Sequence, residues 1–270
     1  GRTRIAMPDL VQWLTFADLA RDTWLYEEDG EVAAFGWAEL HDDVGVGIGC
    51  VARGFKGRGL GAQLVQRSEA HIREQGAARM HQVKLGPDAD AGRLFELQGY
   101  RRVRSFFGMA IELDTAPAVP ALPDGCALET FDPADARGFH AALDEAFRDH
   151  WENHPQSFDA WWQRHQSSPD FDPTLWFLIR DGEEIAAVVR NEPNRNGGGY
   201  VGALGVRRPW RGRGFGRALL LRTFAEFHRR GVPRVSLGVD SESPTGATKL
   251  YESVGMVTER EDDVYEKALS

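Results

Sequence analysis

Two stretches of the chain carry the same pattern of basic residues and glycines. The first reads Cys50-Val-Ala-Arg-Gly-Phe-Lys56-Gly-Arg-Gly-Leu-Gly61-Ala, and the second reads Gly205-Val-Arg-Arg-Pro-Trp-Arg211-Gly-Arg-Gly-Phe-Gly216-Arg. Lys56 aligns with Arg211 at a separation of 155 residues (211 − 56). A repeat at this spacing indicates two copies of one domain, and both copies must fold in the same way around their loop.

A second shared signature supports the duplication. Leu94-Phe95-Glu96 with Gly99 aligns with Leu250-Tyr251-Glu252 with Gly255, at a separation of 156 residues (251 − 95). Residues 114–125 between the copies carry three prolines and no periodicity, as extended linkers do. The sequence therefore predicts an N-terminal domain over 1–115, a linker over 116–125 and a C-terminal domain over 126–270. The first copy has fewer residues before its loop, and we expect it to be truncated or degenerate.

Hydrophobic periodicity predicts a mixed α/β architecture in both copies. The predicted strands include 23–26, 32–40, 45–51, 83–85, 127–131, 176–179, 185–189 and 201–206, and the predicted helices include 60–74 and 134–147. A further helix follows the second loop and ends at Gly231. Asn191 to Gly199 is predicted to be a flexible turn.

The second loop has the composition of an anion-binding site. Glycines 212, 214 and 216 permit positive φ and let a ligand approach the backbone, and the following helix presents unpaired N–H groups. Arg211, Arg213 and Arg217 add positive charge. These residues together predict a cradle for a diphosphate.

Two common phosphate-binding templates fit this loop poorly. A P-loop ends in Gly-Lys-Ser/Thr, whereas Gly216 is followed by Arg-Ala. A dinucleotide fold needs Gly-x-Gly-x-x-Gly and an acidic residue about 20 positions later. Gly57-x-Gly59-x-x-Ala62 keeps a dinucleotide-binding oxidoreductase open as an alternative, without that acidic partner.

The pattern Arg211-x-x-Gly214-x-Gly216 after a strand ending at Val206 resembles the acetyl-CoA loop of the GNAT N-acyltransferases. Val-Ser-Leu-Gly-Val-Asp240 and the helix carrying Tyr251 match the next two elements of that family. The resemblance implies, in each copy, a mainly antiparallel central sheet flanked by helices, with the fourth and fifth strands splayed to form a cleft.

The resemblance also implies the ligand and its binding residues. Acetyl-CoA is expected to bind the C-terminal copy through Leu204, Gly205, Val206, Arg211, Gly212, Arg213, Gly214, Phe215, Gly216, Arg217 and Ser243. The family often carries asparagine at the place of Pro244, and Ser243 is the candidate substitute. The matching positions of a possible second site are Val51, Lys56, Gly57, Arg58, Gly59, Leu60 and Gly61.

Tyr251 is the expected catalytic residue. In this family the matching tyrosine lies near the acyl-CoA sulfur and acts as a general acid toward the thiolate. Reference pKa values of about 10 for tyrosine and about 8.5 for a thiol make full transfer unfavourable by roughly 2 kcal/mol, which favours hydrogen bonding to the developing charge. The first copy has Phe95 here and cannot donate a proton, so catalysis is expected only in the C-terminal copy.

The acceptor is expected to be a small molecule with a primary amine that attacks the thioester directly. An alkylammonium must first lose a proton, at a cost of roughly 4 kcal/mol at pH 7. Many GNATs supply a carboxylate on the fourth strand, but residues 200–206 contain none, which leaves Glu192 as the nearest candidate.

The segment Asp149-His150-Trp151 resembles the mycothiol-synthase-like subgroup, which pairs two GNAT copies and acetylates an amino-sugar thiol conjugate. Asp149 is then a candidate for binding an acceptor cation and His150 for moving a proton, while packing in the core is the alternative for the aromatic residues. His150 and His154 lack an evident third ligand, so no metal site is predicted.

Composition narrows the partners. A formal net charge of −9 argues against general binding to nucleic acid or membrane surfaces. Two cysteines are too few for a disulfide framework, and no apolar run is long enough to span a membrane, so a cytoplasmic location is expected. A non-catalytic acyl-CoA sensor or partner-binding protein is the main alternative function. The pattern leaves open whether the protein is a monomer or a homodimer.

Overall fold

The computed structural model describes residues 18–269 and divides the chain into two compact units. Unit 1 contains the described residues up to Phe107 together with those from Arg260 onward. Unit 2 contains Gly108–Glu259. The predicted division at a linker over 116–125 differs from this one, because the last strand of the chain completes the sheet of unit 1 and residues 108–125 belong to unit 2.

Both units combine strands and helices. The strands are β1 (Thr23–Glu28), β2 (Glu31–His41), β3 (Val44–Val51), β4 (Arg79–Lys84), β5 (Arg101–Glu112), β6 (Cys126–Thr130), β7 (Phe177–Asp181), β8 (Glu184–Arg195), β9 (Gly198–Val206), β10 (Arg234–Asp240) and β11 (Val257–Ala268). The helices are α1 (Leu19–Asp22), α2 (Leu60–Glu74), α3 (Ala89–Leu97), α4 (Ala136–Phe147), α5 (Phe158–Gln166), α6 (Phe215–Arg229) and α7 (Ala247–Ser253). The predicted α/β architecture is confirmed.

The sheet of unit 1 has the order β1, β2, β3, β4, residues 260–268 of β11, and residues 101–107 of β5. β1 and β2, β2 and β3, and β4 and β11 pair antiparallel, whereas β3 and β4 run parallel. The expectation that this copy is truncated or degenerate concerns residues 1–17, which lie outside the described residues; the short α1 and then β1 are the first elements that the structure describes.

The sheet of unit 2 has the order β6, β7, β8, β9, β10 and residues 108–112 of β5. The β6 to β9 pairings are antiparallel, and β9 and β10 run parallel. Helices cover both faces, since a Cβ at Gly205 would meet Ala146 of α4, whereas Asn191 bonds Thr223 of α6. Gly205 pairs with Val188 on β8. Asn191 lies three residues after Val188 on the same strand, so its side chain points to the opposite face of the sheet.

The segment Asn191–Gly199 is not a turn as predicted. β8 continues to Arg195 and β9 starts at Gly198, so only Asn196 and Gly197 connect them. Both residues have positive φ, 54° and 79°, as a tight two-residue hairpin requires. Gly202 has no partner in the β8–β9 register and forms a bulge, which leaves space for side chains of β8.

Among the described residues, no helix has both the length and the apolar character needed to cross a membrane. The core of unit 2 is rich in aromatic rings: Phe139, Trp161 and Trp176 pack together within about 5–7 Å between centroids. Trp161 is 8% exposed, which agrees with the core alternative for this residue.

Glu226 anchors the last turn of α6 through three arginines. Its carboxylate accepts hydrogen bonds from Arg222 (3.2 Å), Arg229 (2.6 Å) and Arg230 (2.8 Å), while its side chain is 6% exposed. The Arg229 hydrogen bond is the largest influence, and the three together lower the pKa of Glu226 from 4.5 to about 2 despite burial.

A lowered pKa of Glu226 makes the stability of unit 2 depend on pH. The ionised carboxylate stabilises the folded state above pH 4.5, and this contribution is lost as the pH falls toward about 2. We expect Glu226→Gln to lower the free energy of unfolding by about 2 kcal/mol at neutral pH and to remove that part of the acid dependence, measured by urea unfolding across this range. The exposed Glu183→Gln is the control, and an equal loss in both variants would contradict the prediction.

Candidate active site

The cleft of unit 2 begins where β9 and β10 stop pairing. These two described strands share a register at only two positions, Val235 with Gly199 and Ser236 with Tyr200. Beyond them, residues 201–206 of β9 and 237–240 of β10 diverge, and the space between these two segments is called the cleft below. The predicted splaying of the fourth and fifth strands is confirmed.

Backbone groups of β9 line one side of the cleft. The N–H of Arg207 donates to the carbonyl oxygen of Ala186 on β8 at 3.0 Å. Because hydrogen-bonded and non-bonded positions alternate along an antiparallel pair, Gly205 also faces β8 while Leu204 and Val206 turn their backbone groups toward the cleft. Leu204 and Val206 are therefore the residues able to bond an extended ligand there.

The glycine-rich loop lies between β9 and α6. Gly212 and Gly214 have φ values of 78° and 82°, which disfavour any residue with a Cβ. Gly214 precedes α6 without a capping side chain, so the first N–H groups of the helix, starting with Phe215, remain available for an anion. The Phe215 side chain itself is 1% exposed and belongs to the core.

Gly216 is required for a different reason. A Cβ at this position would lie 2.9 Å from Leu250 Cδ2 on α7 and 3.7 Å from Val206 Cγ2 on β9. The absence of a side chain lets α6 pack closely on the helix that carries Tyr251. The loop and Tyr251 are thus held at a fixed separation.

The three arginines of the loop have different environments. Arg211 donates to the carbonyl oxygens of Val206 (3.2 Å) and Ala146 (3.3 Å), which attaches the loop to β9 and α4. Arg213 donates to Asp181 at 2.7 Å, and Asp181 also accepts from Trp210 at 2.9 Å.

Arg217 is exposed, and no described residue pairs with its guanidinium. Arg211 and Arg213 therefore shape the loop, whereas Arg217 remains free to meet an anion. Sequence reasoning did not identify Asp181, because it lies 32 residues before Arg213 on another strand.

Tyr251 lies on α7 and is 8% exposed. Burial raises the pKa of Tyr251 above its usual 10, and the Tyr200 phenol adds a smaller increase. No described residue forms a hydrogen bond with the Tyr251 hydroxyl. A buried, protonated and unpartnered phenol is suited to donate a hydrogen bond to a ligand.

Ser243 occupies the turn between β10 and α7. Its hydroxyl lies 3.0 Å from Thr245 Oγ1, and its N–H donates to the carbonyl oxygen of Asp240 at 3.1 Å. The side chain is thus engaged within the turn that starts α7.

Glu192 lies on β8 and is 8% exposed, rather than on a solvated loop. Its Oε1 accepts from Arg190 (2.8 Å) and its Oε2 from Arg195 (3.3 Å). A Cβ at Gly202 would stand 2.7 Å from Arg190 and 2.8 Å from Glu192, so this charged pair occupies the space left by the bulge.

The segment after α4 places its predicted site residues in separate surroundings. Asp149 forms an exposed ion pair with Arg208. The His150 ring packs on Phe147 with 4.5 Å between centroids. Burial lowers the pKa of His150, and the nearby Asp240 carboxylate partly opposes this effect. Trp151 follows in the same turn and is half-buried.

His165 on α5 is a polar residue that the sequence motifs did not indicate. Its Nδ1 donates to the carbonyl oxygen of Trp161 at 2.7 Å, which leaves Nε2 as an acceptor. Burial, followed by the charge of Arg190, lowers the pKa of His165 from 6.5 to about 4. This imidazole is therefore neutral at physiological pH.

Unit 1 repeats the loop geometry with different side chains. Gly57 and Gly59 have φ values of 81° and 82°, and a Cβ at Gly61 would lie 2.9 Å from Leu94. However, Lys56 pairs with Asp88 at 3.1 Å, and Arg58 pairs with Glu28 at 2.7 Å.

Val51 ends β3, Leu60 starts α2, and Phe95 on α3 is 6% exposed and packs on Tyr265. The loop is conserved in shape between the two units, but the phenol is absent from this one. Among the described residues, no group of three or more His, Cys, Asp or Glu side chains is arranged to hold a metal ion.

Comparisons with known proteins agree with this geometry. The model of the acetyltransferase (GNAT) family matches residues 2–100 and 137–256. A mycothiol acetyltransferase of Thermobispora bispora is 33% identical over 255 residues, which cover 92% of this chain and 84% of that protein. A mycothiol acetyltransferase of Thermomonospora curvata is 33% identical over 248 residues, covering 88% and 80%.

Two solved structures share the fold. A GCN5-related N-acetyltransferase from Sphaerobacter thermophilus superposes with a TM-score of 0.87 at 33% identity, covering 100% of this chain and 87% of that one. A tandem GNAT protein from the clavulanic acid biosynthesis pathway has a TM-score of 0.76 at 17% identity, covering 100% and 90%. The second likeness concerns the fold alone.

Proposed function

The chain belongs to the GNAT acetyltransferase family and is an acetyltransferase, and we propose that unit 2 transfers the acetyl group of acetyl-CoA to the primary amine of a small molecule. The observation that carries this proposal is the cleft of unit 2, which has an anion-binding loop at one end and an unpartnered phenol beside it.

The residues around the cleft fit acetyl-CoA as the acyl-donor substrate. Its pyrophosphate matches the free N–H groups at the start of α6 and the exposed charge of Arg217. Its pantetheine arm has peptide-like amides that suit the backbone groups of Leu204 and Val206. The donor supplies a thioester, whose carbonyl carbon an amine can attack without a covalent enzyme intermediate.

Tyr251 is proposed as the catalytic residue that faces the leaving sulfur. Its raised pKa keeps the phenol protonated, so it can donate a hydrogen bond as negative charge develops on the thiolate. The short distance enforced at Gly216 holds α7, and thus Tyr251, against the loop. Binding of the pyrophosphate by the loop would then determine where the sulfur of acetyl-CoA lies relative to Tyr251.

The acceptor is proposed to enter over β8 and β9, where Arg190 and Glu192 fill the space above Gly202. Asp149, His150 and Trp151 in the turn after α4 are proposed acceptor contacts at the other side. Since two relatives are named mycothiol acetyltransferases, a mycothiol-related amine is the first acceptor class to test.

Unit 1 is proposed not to catalyse transfer. Phe95 stands where unit 2 has Tyr251 and lacks a proton to donate. Lys56 and Arg58 already pair with carboxylates, which weakens their attraction for a diphosphate. The non-catalytic binding role is therefore favoured for unit 1 rather than for the whole chain.

The first test is turnover. We expect the full chain, incubated with acetyl-CoA and a panel of primary amines that includes glucosamine, serinamide and spermidine, to release free thiol in step with an acetylated product detected by mass spectrometry. Tight binding of acetyl-CoA by calorimetry with no product across the panel would instead support a sensor.

The second test concerns Tyr251. The Tyr251→Phe variant keeps the ring in the core but removes the donor, so kcat should fall by about tenfold or more while the Kd for CoA stays unchanged. Steady-state kinetics and calorimetry measure the two quantities. An unchanged kcat would remove Tyr251 from the mechanism.

The third test separates ligand binding from backbone strain. Gly214 and Gly231 both have positive φ and no atom within 4 Å of an added Cβ, so alanine at either should cost about 1–2 kcal/mol of stability. Only Gly214→Ala disturbs the proposed phosphate site, and we expect the Kd for CoA to rise about tenfold in that variant alone. Equal affinity in both variants would reject the loop as the binding site.

A further inference from the structure

Three charged side chains of β8 lie together at the bulge of β9. Arg190 lies two residues after Val188, whose partner Gly205 faces α4, so its side chain points to the α4 face of the sheet. Glu192 points to the same face two residues further on and binds both Arg190 and Arg195. Arg190, Glu192 and Arg195 are called the arginine cluster below.

The arginine cluster holds two positive charges and one negative charge. Glu192 Oε1 accepts from Arg190 Nη1 at 2.8 Å, and Oε2 accepts from Arg195 Nη1 at 3.3 Å. The side chains of the two arginines are only 18% and 24% exposed. Because little water surrounds these guanidinium groups, the positive charge that Glu192 does not balance attracts an anion more strongly than an exposed arginine would.

One end of the Arg190 guanidinium is available to a ligand. Its Nη1 is bound to Glu192, whereas no described residue accepts a hydrogen bond from its Nη2. A Cβ added at Gly202 would stand 2.7 Å from this Nη2, so the absence of a side chain at Gly202 makes the space in which Nη2 lies. An oxygen of a bound anion would accept the hydrogen bond that Nη2 can donate.

The ring of Tyr200 positions the second arginine. Tyr200 pairs with Glu192 across β8 and β9, and the Arg195 guanidinium lies 4.2 Å from the centroid of its ring. This cation–π contact and the hydrogen bond to Glu192 together hold Arg195 beside the other two members of the cluster.

The arginine cluster lies where the thioester of the proposed donor is expected. In the proposed function, the pyrophosphate of acetyl-CoA binds at the start of α6 and the pantetheine arm follows β9 past Val206 and Leu204. Gly202 lies two residues further in the same direction, about 7 Å along a strand. An amine that attacks the thioester would therefore approach near Gly202, and so near Nη2 of Arg190.

We propose, on the basis of the proposed function, that the acceptor amine also carries an anionic group, a carboxylate or a phosphate, and that Arg190 is the specificity-determining residue that binds this group. Nη2 of Arg190 donates to an oxygen of the anion, and Arg195 adds its positive charge from the other side of Glu192. Binding of the anion directs the amine of the same molecule toward the thioester. The acceptor class is thus narrowed from primary amines in general to amino acids or amino-sugar phosphates.

The test compares pairs of acceptors that differ in the anionic group. Serine carries a carboxylate where serinamide carries a neutral amide, and glucosamine 6-phosphate carries a phosphate that glucosamine lacks. With the full chain and saturating acetyl-CoA, kcat/KM is measured for each and expressed per unprotonated amine. We expect the anionic member of one pair to exceed its neutral partner about tenfold or more, and that pair identifies the anion as carboxylate or phosphate.

Substitution of Arg190 tests its role in this preference. Arg190→Gln removes the charge, and we expect it to lower the ratio of kcat/KM between the anionic and the neutral acceptor about tenfold, while the Kd for CoA stays unchanged. A general loss of activity or folding cancels in this ratio, because both acceptors meet the same variant. Arg190→Lys keeps the positive charge and is expected to retain part of the preference.

Arg222→Gln is the matched control. Arg222 is another half-buried arginine that donates to a glutamate, Glu226 at 3.2 Å, but it belongs to α6, which covers the opposite face of the sheet. We expect this variant to keep the wild-type ratio between anionic and neutral acceptors.

The outcomes separate the two proposals. Turnover of spermidine or of the neutral acceptors without any preference for an anionic partner would overturn the anionic acceptor and leave the acetyltransfer in unit 2 intact. A preference that is unchanged in Arg190→Gln would overturn the role of Arg190, and a raised Kd for CoA in the same variant would assign this residue to the donor instead. No turnover of any of these amines by the wild type would overturn the inference together with the function it rests on.

Discussion

The proposed active site of this acetyltransferase depends on the early end of the pairing between β9 and β10. Parallel strands normally share hydrogen bonds along their length, but β9 and β10 share a register only at Gly199 and Tyr200. The backbone groups of Leu204 and Val206 are then left without a partner strand. An unpaired backbone group costs free energy when buried, and a ligand with amides of its own relieves that cost.

Hydrogen bonds within the protein fix the conformation of the loop that follows β9. Arg211 donates hydrogen bonds to backbone carbonyl oxygens, and Arg213 donates to the carboxylate of Asp181. Both side chains therefore stabilise the conformation of the loop. The glycines then hold this shape at positive φ. Arrangement of the amides in advance reduces the entropy lost on binding. The same glycine φ values occur in the loop of unit 1, where different side chains surround them.

The parts of the fold and of the proposed site that depend on neighbouring residues could be predicted from the sequence. Helix α2 was predicted with the observed bounds 60–74, and the glycine loop was located because glycine spacing is a local signal. The two-residue hairpin at Asn196 was not predicted. Residues 191–199 are polar and rich in glycine, which is typical of a loop, although β8 extends to Arg195 and β9 begins at Gly198. The Asn-Gly pair was the available clue. Asp181 and His165 depend on contacts between distant segments of the chain, which no local sequence pattern indicates.

One feature of unit 1 has consequences for how the chain is made. Residues 260–268 lie between β4 and residues 101–107, and Asp263 pairs with Lys84, which precedes it by 179 residues (263 − 84). During translation, β1 to β5 are therefore synthesised long before β11, the strand that lies between β4 and β5. The sheet of unit 1 can be completed only after β11 has been synthesised. Because this pairing closes a long loop of chain, it is expected to form more slowly than the pairings between neighbouring strands.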